Sequence, residues 1–499
     1  MSSSRALGPL FLAFALLIVS TGCGRLGFDP SAAASDAGDD PTSDARVDPA
    51  SDAAPTGADA GALDPVVLAQ EAIDLNDNSF PKLSLQDLTV DAAGNAYLIG
   101  SFSNGTFDGE AVMANGSSDI YIASLADGLG HRWLRSFGGS LTDHGLRVFW
   151  RDDNLYSFSQ FSGTIDTQGL MVSSLGQDDH LVLAMDDQGQ IVKWKAFGST
   201  GDDDFGRGLF IDSARHVYVG GSCSDSFSYG GDPLVGDGSR DPCMAHLDQD
   251  MGHVSSGRLL GPGTDAVRGI ALFPSGGALV VGYFNQTLTI DNAQLTSNGG
   301  ADVFALRIAA DGTVEWAEAL GGDGDDFPEH VLIDSDGYMY IALNTTSSEI
   351  DFDGQTIPLD TNGGTDALLI AADEWGNLHW GQLLTGPGGQ TIEDIALLGD
   401  GTLAFAGGYE GMPRLNGELL PPANGDRDLL VGVTDRWGNL LWQRTAGSAG
   451  FDSFTAVASH PEGGLVVGGV VTGAVDLGTG PIADDTGAAQ LVIAHIAVP

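Results

Sequence analysis

Cations are what this 499-residue sequence has least of: 20 Lys and Arg, only three of them Lys, stand against 68 Asp and Glu, for a net charge of −48. So few cations among so many carboxylates cannot build a phosphate-neutralising surface, which excludes nucleic acid as a partner. Anionic lipid head groups are disfavoured on the same ground, and divalent cations are the expected counter-ions. Cysteine is nearly absent, with three residues, too few for a disulfide-built scaffold. No apolar run reaches the roughly 20 residues of a membrane-spanning helix. The sequence also lacks a Gly-x-Ser-x-Gly elbow, a phosphate-binding loop and a His-Glu-x-x-His pair, and its ten histidines are scattered. Glycine, by contrast, is abundant at 73 residues, about twice the usual share, which predicts many turns and short strands. With 42% hydrophobic residues such a chain can bury large cores, and the expected fold class is all-β.

The N-terminus places one cation, Arg5, before an apolar run from Leu10 to Val19, which is followed by Ser20-Thr21-Gly22-Cys23. This order is that of an export signal, residues 1–23, and the run is too short to span a bilayer. The small residues before Cys23 resemble the bacterial lipobox, in which that cysteine is lipidated and becomes the new N-terminus; Ser20 departs from the Leu usual there. Gly24 is not the Asp that retains lipoproteins in the inner membrane, so the resemblance implies an outer-membrane lipid anchor. Residues 24–65 carry nine Asp, eleven Ala and two Arg with very few larger aliphatic side chains. They cannot form a core and are expected to be a disordered tether, with a span of about 35 Å from the square root of its length. Cys23 followed by Gly24, Arg25, Leu26, Gly27, Phe28 and Asp29, then an acidic low-complexity stretch, resembles lipoproteins of myxobacteria and their relatives.

From residue 66 onward the sequence repeats. A strand-like segment recurs at Tyr97, Tyr156, Val217, Leu279, Met339, Ala404 and Leu465, at spacings of 59 to 65 residues. A second track begins at Asp119, Asp179, Asp241, Asp302, Asp366 and Asp428, with Gln490 in the seventh place. A third is Trp133, Trp194, Trp316, Trp380 and Trp442, with Gly257 in the gap. Seven units of four strands predict a seven-bladed β-propeller over 66–499, whose radial repetition leaves only short sheet edges. The tracks resemble the bacterial β-propeller repeats called SBBP repeats. The last unit lacks a fourth strand, and Val66–Ala72 precedes the first complete one, so the N-terminal strand is expected to complete the last blade and leave no edge unpaired. The tether then joins on the face opposite the long loops, which are expected around Asn104–Ser118 and Asp225–Arg240.

Candidate site residues follow from the repeat. Asp143, Asp204, Asp265, Asp326 and Asp452 recur five residues before the core of each innermost strand, with Leu83 and Gln390 in the other two places. Such a ring of carboxylates at the channel mouth could hold Ca²⁺, the one cofactor considered. Alternatively each Asp accepts N–H groups of its own turn, a reading favoured by the two interruptions. The Asp-rich turns at Asp74 and Asp334 have Leu85 and Thr345 where an EF-hand needs Glu. One Trp per blade points to packing between blades rather than carbohydrate stacking. His144 and His330 lie beside Asp143 and Asp326 without a nucleophile. Export permits a disulfide between Cys223 and Cys243, whose strands are expected to be neighbours, with two buried thiols as the alternative.

These features imply a monomeric, non-enzymatic envelope lipoprotein that presents its looped face to a protein or glycan ligand. The alternatives are a propeller-class enzyme (glycosidase, lyase or oxidoreductase) with its site at the channel mouth, and a cation-stabilised structural module. Converging Arg, Tyr and Glu on an uneven face would favour the enzyme, and a near-symmetric face would favour binding.

Overall fold

The second and third strands of the units are rich in apolar residues without a polar alternation, as in Ala96–Phe102 and Asp119–Leu125, and every residue of these two is buried. Strands that alternate polar and apolar face water on one side; these have protein on both faces. The computed structural model describes residues 66–73 and 83–498, except 108–109, 202–205, 237–238, 292, 353, 360–363 and 484–488. Within these, seven antiparallel four-stranded sheets stand as the blades of a propeller, and no helix occurs among the described residues. Residues 1–65, on which the expected export signal, the lipidation of Cys23 and the expected tether fall, lie outside the described residues.

The first blade runs from the innermost strand Leu83–Val90 through Ala96–Phe102 and Asp119–Leu125 to the outer strand His131–Phe137. The seventh is closed as expected. Val66–Ile73 pairs antiparallel with Gln490–Ala497, from Val66 opposite Ala497 to Ile73 opposite Leu491. Val66 therefore starts on the face of the tight turns. The hydrophobic core is not a single mass. It is divided into wedges, one in each of the seven seams between neighbouring blades; the seam of the seventh and first blades packs Leu491, Ile493 and Val466 against Leu85, Leu88 and Leu98.

The loops are more regular than the sequence indicates. Not two but all seven blades carry a β-hairpin between their second and third strands, for example Glu349–Phe352 with Gln355–Pro358 in the fifth. In the second and fourth blades the strands simply run on, as Asn154–Thr167 and Leu170–Met185 do. The hairpins of the second to sixth blades reach back over the blade before them: Asp166 bridges to Gly138, Ser228 to Gly198, Thr289 to Leu260, Asp351 to Gly321, and Arg414–Leu415 pairs with Leu384–Thr385. The hairpin face is thus a near-symmetric crown that laps the seams.

Candidate functional site

Six of the seven innermost strands carry a β-bulge at the same height. The register slips around Gln86, Leu146, Arg268, Glu329, Glu393 and Thr455, and Arg207 holds the corresponding place before Gly208–Ile211 in the third blade. A bulge re-aims side chains and frees main-chain groups from the ladder. Here it turns one ring of residues toward the channel mouth. The next residue in each blade, among them Asp87, Arg147, His330 and Asp394, forms a second ring deeper in.

The deeper ring is a charged plug. Arg147 crosses the channel, its Nη2 donating to Glu329 O at 2.6 Å and its Nε to Arg207 O at 3.3 Å. Its Nη1 lies 3.9 Å from Asp87 and 4.0 Å from Asp394. Asp87 also accepts the N–H of Leu88 and, across a seam, that of Val148, at 2.8 and 2.9 Å. Asp394 does the same with Ile395 and Val457, at 2.9 and 2.8 Å, and His330 Nδ1 contacts it directly. Burial pushes the Asp87 carboxyl up to about 6 in spite of Arg147, and the charge of Asp394 acts in the same direction. Beyond the plug, toward the turn face, a cavity of about 310 Å³ is walled by Leu88, Phe149, Phe210, Leu332 and their neighbours.

The upper ring lies on the hairpin face. Arg207 donates to Glu329 Oε2 at 3.0 Å and to Gln86 Oε1 at 3.1 Å, and Arg268 stands 3.6 Å from the same Glu329 oxygen. Two cavities open here. One, of about 330 Å³, is lined by Gln86, His144, Gln160, Asp178, Arg207 and Arg268 among others. The second, of about 360 Å³, includes Glu393, Arg427, Phe451 and Thr455. Each holds a guanidinium with a buried Nε–H that has no hydrogen-bond partner, on Arg268 in the first and Arg427 in the second. Burial raises the Glu393 carboxyl above its ordinary range, and the nearby charge of Glu329 adds to the shift.

The interblade carboxylates sit just above this mouth, spent on their own blades. Asp143 accepts the N–H of Gly139 and of Ser162, each at 2.9 Å. Asp265 accepts that of Asn285 at 2.7 Å, Asp326 that of Gly322 at 2.9 Å with the hydroxyls of Thr345 and Ser347, and Asp452 that of Thr472 at 2.9 Å. Gln390 keeps the geometry with the roles reversed, donating to Pro387 O and Glu410 O at 3.1 and 3.3 Å. Asp204 lies outside the described residues. The four described carboxylates do not come together as a group able to share one ion. The third-strand track is similarly local: Asp119, Asp179 and Asp302 accept the N–H four residues before them, and burial pushes Asp302 up to about 7.

The Trp track joins blades. Trp133, Trp316 and Trp380 donate Nε1–H to Asp187 O, Glu374 O and Arg436 O in the turn of the following blade, at 2.8, 3.0 and 2.9 Å. Trp442 packs into the seam of the sixth and seventh blades. Trp194 is the exception, 40% exposed. The reason is in the turn it faces: Gly189 and Gly438 lie under Trp133 and Trp380, where a Cβ would meet the indole at 2.9 and 2.7 Å, but the third blade has Met251 in that place. Gly438→Val, at φ +82°, should therefore unseat Trp380 and lower stability by about 2 kcal/mol or more, read from urea unfolding.

Two sequence expectations are corrected. His330 pairs with Asp394 of the next blade and not with Asp326, because the bulge turns it into the channel; His144 lines the first mouth cavity. Cys223 and Cys243 are separate buried thiols. Their strands do pair, but Cys223 stands opposite Asp241 and Cys243 opposite Gly221, a diagonal two rows apart where Cβ atoms are about 7 Å from one another, against about 3.8 Å in a disulfide. Added reductant should accordingly leave the melting temperature unchanged.

Of the channel residues the sequence patterns single out only His330 in the plug and His144 at the mouth. The missed signal is the placement of rare cations: Arg207 and Arg268 fall three residues after Asp204 and Asp265, and Arg147 four after Asp143.

No family model matches the chain, and no curated protein does. Solved structures similar to it include Sqt1 from Chaetomium thermophilum, 11% identical over 88% of this chain and 100% of that one, with a TM-score of 0.39. A polysaccharide lyase of family PL25, an ulvan lyase, is 12% identical over 81% of this chain and 93% of its own, with a TM-score of 0.40. The WD40 β-propeller domain of Doa1 is 11% identical over 55% and 94%, with a TM-score of 0.21. At such values these likenesses say nothing of activity.

Proposed function

We propose that this chain is a non-catalytic lipoprotein of the bacterial cell envelope, with SBBP-like repeats, that binds a polar ligand in the mouth of its propeller. The observation that carries this reading is the pair of buried, unpartnered Nε–H groups on Arg268 and Arg427, one in each mouth cavity. A buried donor left unpaired costs about 1–3 kcal/mol, and an oxygen-rich ligand would satisfy both. The chemistry of those donors favours a glycan or peptide that bears carboxylates. The even crown of hairpins supports binding over catalysis. The lipobox at Cys23 and the start of Val66 on the turn face support an anchor in the outer membrane that leaves the hairpin face turned outward. Probing the full chain on an array of acidic and neutral oligosaccharides tests the binding: acidic glycans should be retained, and Arg268→Met with Arg427→Met should abolish retention. Cys23→Ser should release the protein from the membrane fraction; unchanged fractionation would set the anchor aside.

A second reading, an enzyme of glycosidase or lyase type, is favoured by one feature. Glu329 and Glu393 occupy adjacent bulge positions, and burial, with the nearby charge of Glu329, raises Glu393, the direction in which a general-acid carboxyl is tuned. Turnover of a bound glycan, lost in Glu393→Gln, would establish it.

A further inference from the structure

On the opposite face, at the seam where the seventh blade meets the first, we infer that Asp127, His460 and His495 form a site for a zinc-class divalent metal ion that staples the ring closed. One ligand atom from each of the three lies within 4.8 Å of the other two. The turn after the innermost strand opens with Asp91, Asp212 and Asp334 in the first, third and fifth blades, and each of these carboxylates accepts its own turn's N–H groups. In the seventh blade the residue is His460, which keeps the main-chain turn, donating its N–H to Gly464 O at 3.1 Å, and directs an imidazole at the neighbouring blade.

His460 is 2% exposed, and its Nε2 has no hydrogen-bond partner. A carboxylate oxygen of Asp127, in the last turn of the first blade, stands 3.5 Å away. The ring of His495, on the closing strand Gln490–Ala497, lies with its centroid 3.8 Å from that of His460. Gly94 borders the space between the ligands: a Cβ there would sit 2.8 Å from His460 Nε2 and 3.1 Å from the carboxyl carbon of Asp127. Glycine keeps that volume open. Asp127 is half-exposed, which gives an ion a way in.

Two imidazoles and one carboxylate are the donor set of zinc and its late first-row neighbours, whereas Ca²⁺ takes oxygen ligands only. The three ligand atoms, now within 4.8 Å of one another, would have to draw in to about 2.0–2.1 Å from one ion, the His495 ring turning out of its packing on His460 and its 3.4 Å contact with Gly463 O, and a water would complete the tetrahedron. Binding at Nε2 places the ring proton of His460 on Nδ1, which releases the long 3.3 Å contact from the Glu462 N–H. The ion would join the last blade to the first across a seam otherwise held by the N-terminal strand and apolar packing.

The test titrates Zn²⁺, and separately Co²⁺, into the metal-stripped full-length protein. Wild type should take up one ion per chain more than His460→Gln or His495→Gln, show the intense visible bands of tetrahedral Co²⁺, and melt higher with Zn²⁺ than with Mg²⁺. Asp127→Asn lies at an exposed turn and will fold; its affinity should fall more than about tenfold, the lower bound for changes around a metal site. Equal uptake by wild type and Asp127→Asn, or a melting temperature of wild type that zinc does not move, would overturn the site.

Discussion

Deleting Val66–Ile73 is expected to lower the melting temperature by about 10 °C and to promote aggregation. The strand supplies the outer edge of the seventh blade through its pairing along Gln490–Ala497, and Val67 sits in the seam of the sixth and seventh blades. Losing a buried Val costs about 1.5–3 kcal/mol, and the opened edge loses its main-chain partners as well. A total of about 5 kcal/mol at roughly 2 °C per kcal/mol gives the shift for a domain this large. Every residue of Gln490–Ile496 is buried, and most are apolar, so the new unpaired edge is of the kind that pairs with another chain. Scanning calorimetry with size-exclusion chromatography reads both effects; unaltered values in the deletion would mean that the ring is closed by other contacts.

Arg147→Met should be at least as damaging near neutral pH, by about 3–5 kcal/mol, the usual cost of leaving buried charge uncompensated. It strips Asp87 and Asp394 of the cation between them and leaves two main-chain carbonyls, those of Arg207 and Glu329, without their donor. The effect carries a pH signature. The Asp87 carboxyl titrates at about 6 in the folded protein against an ordinary 3.8, so the folded state holds that proton more tightly than the unfolded chain does. A raised carboxyl contributes stability that is fully present below the ordinary value and is lost as pH rises through the folded one. Asp143, at about 6, and Asp302, at about 7, act in the same direction. The buried imidazoles of His180 and His246, held down to about 4 by desolvation, act the other way between about pH 7 and about pH 5, so the carboxyl signature is read on the difference between variant and wild type. Without Arg147 the Asp87 shift grows, and the variant's deficit should shrink over the same interval as the carboxyl becomes neutral. Urea unfolding at the two pH values reads this; a deficit that grows on acidification would contradict the assignment of the plug.

The propeller itself is legible in the sequence because seven copies of one unit repeat the same signals, and the closing strand is legible because the last copy is short by one strand. Hairpins are harder to see: Val475–Asp476 and Pro481–Ile482 pair over only two residues each, and so short a run has no periodicity. The disulfide expectation fails on register, since neighbouring strands do not say which rows face each other. The channel escapes a pattern search for a different reason. A structural repeat keeps the same residue type at the same place, whereas the bulge positions Gln86, Leu146, Arg207, Arg268, Glu329, Glu393 and Thr455 differ in every seam but two. What marks them is that a chain with so few cations puts three arginines at or beside that height.

The most direct test of the binding account is to incubate the full-length protein with an acidic oligosaccharide that it retains, and to weigh the recovered ligand by mass spectrometry. The account predicts a ligand recovered intact, bound by wild type and not by the Arg268→Met, Arg427→Met variant. A cleaved or oxidised product that no longer forms with Glu393→Gln would contradict it.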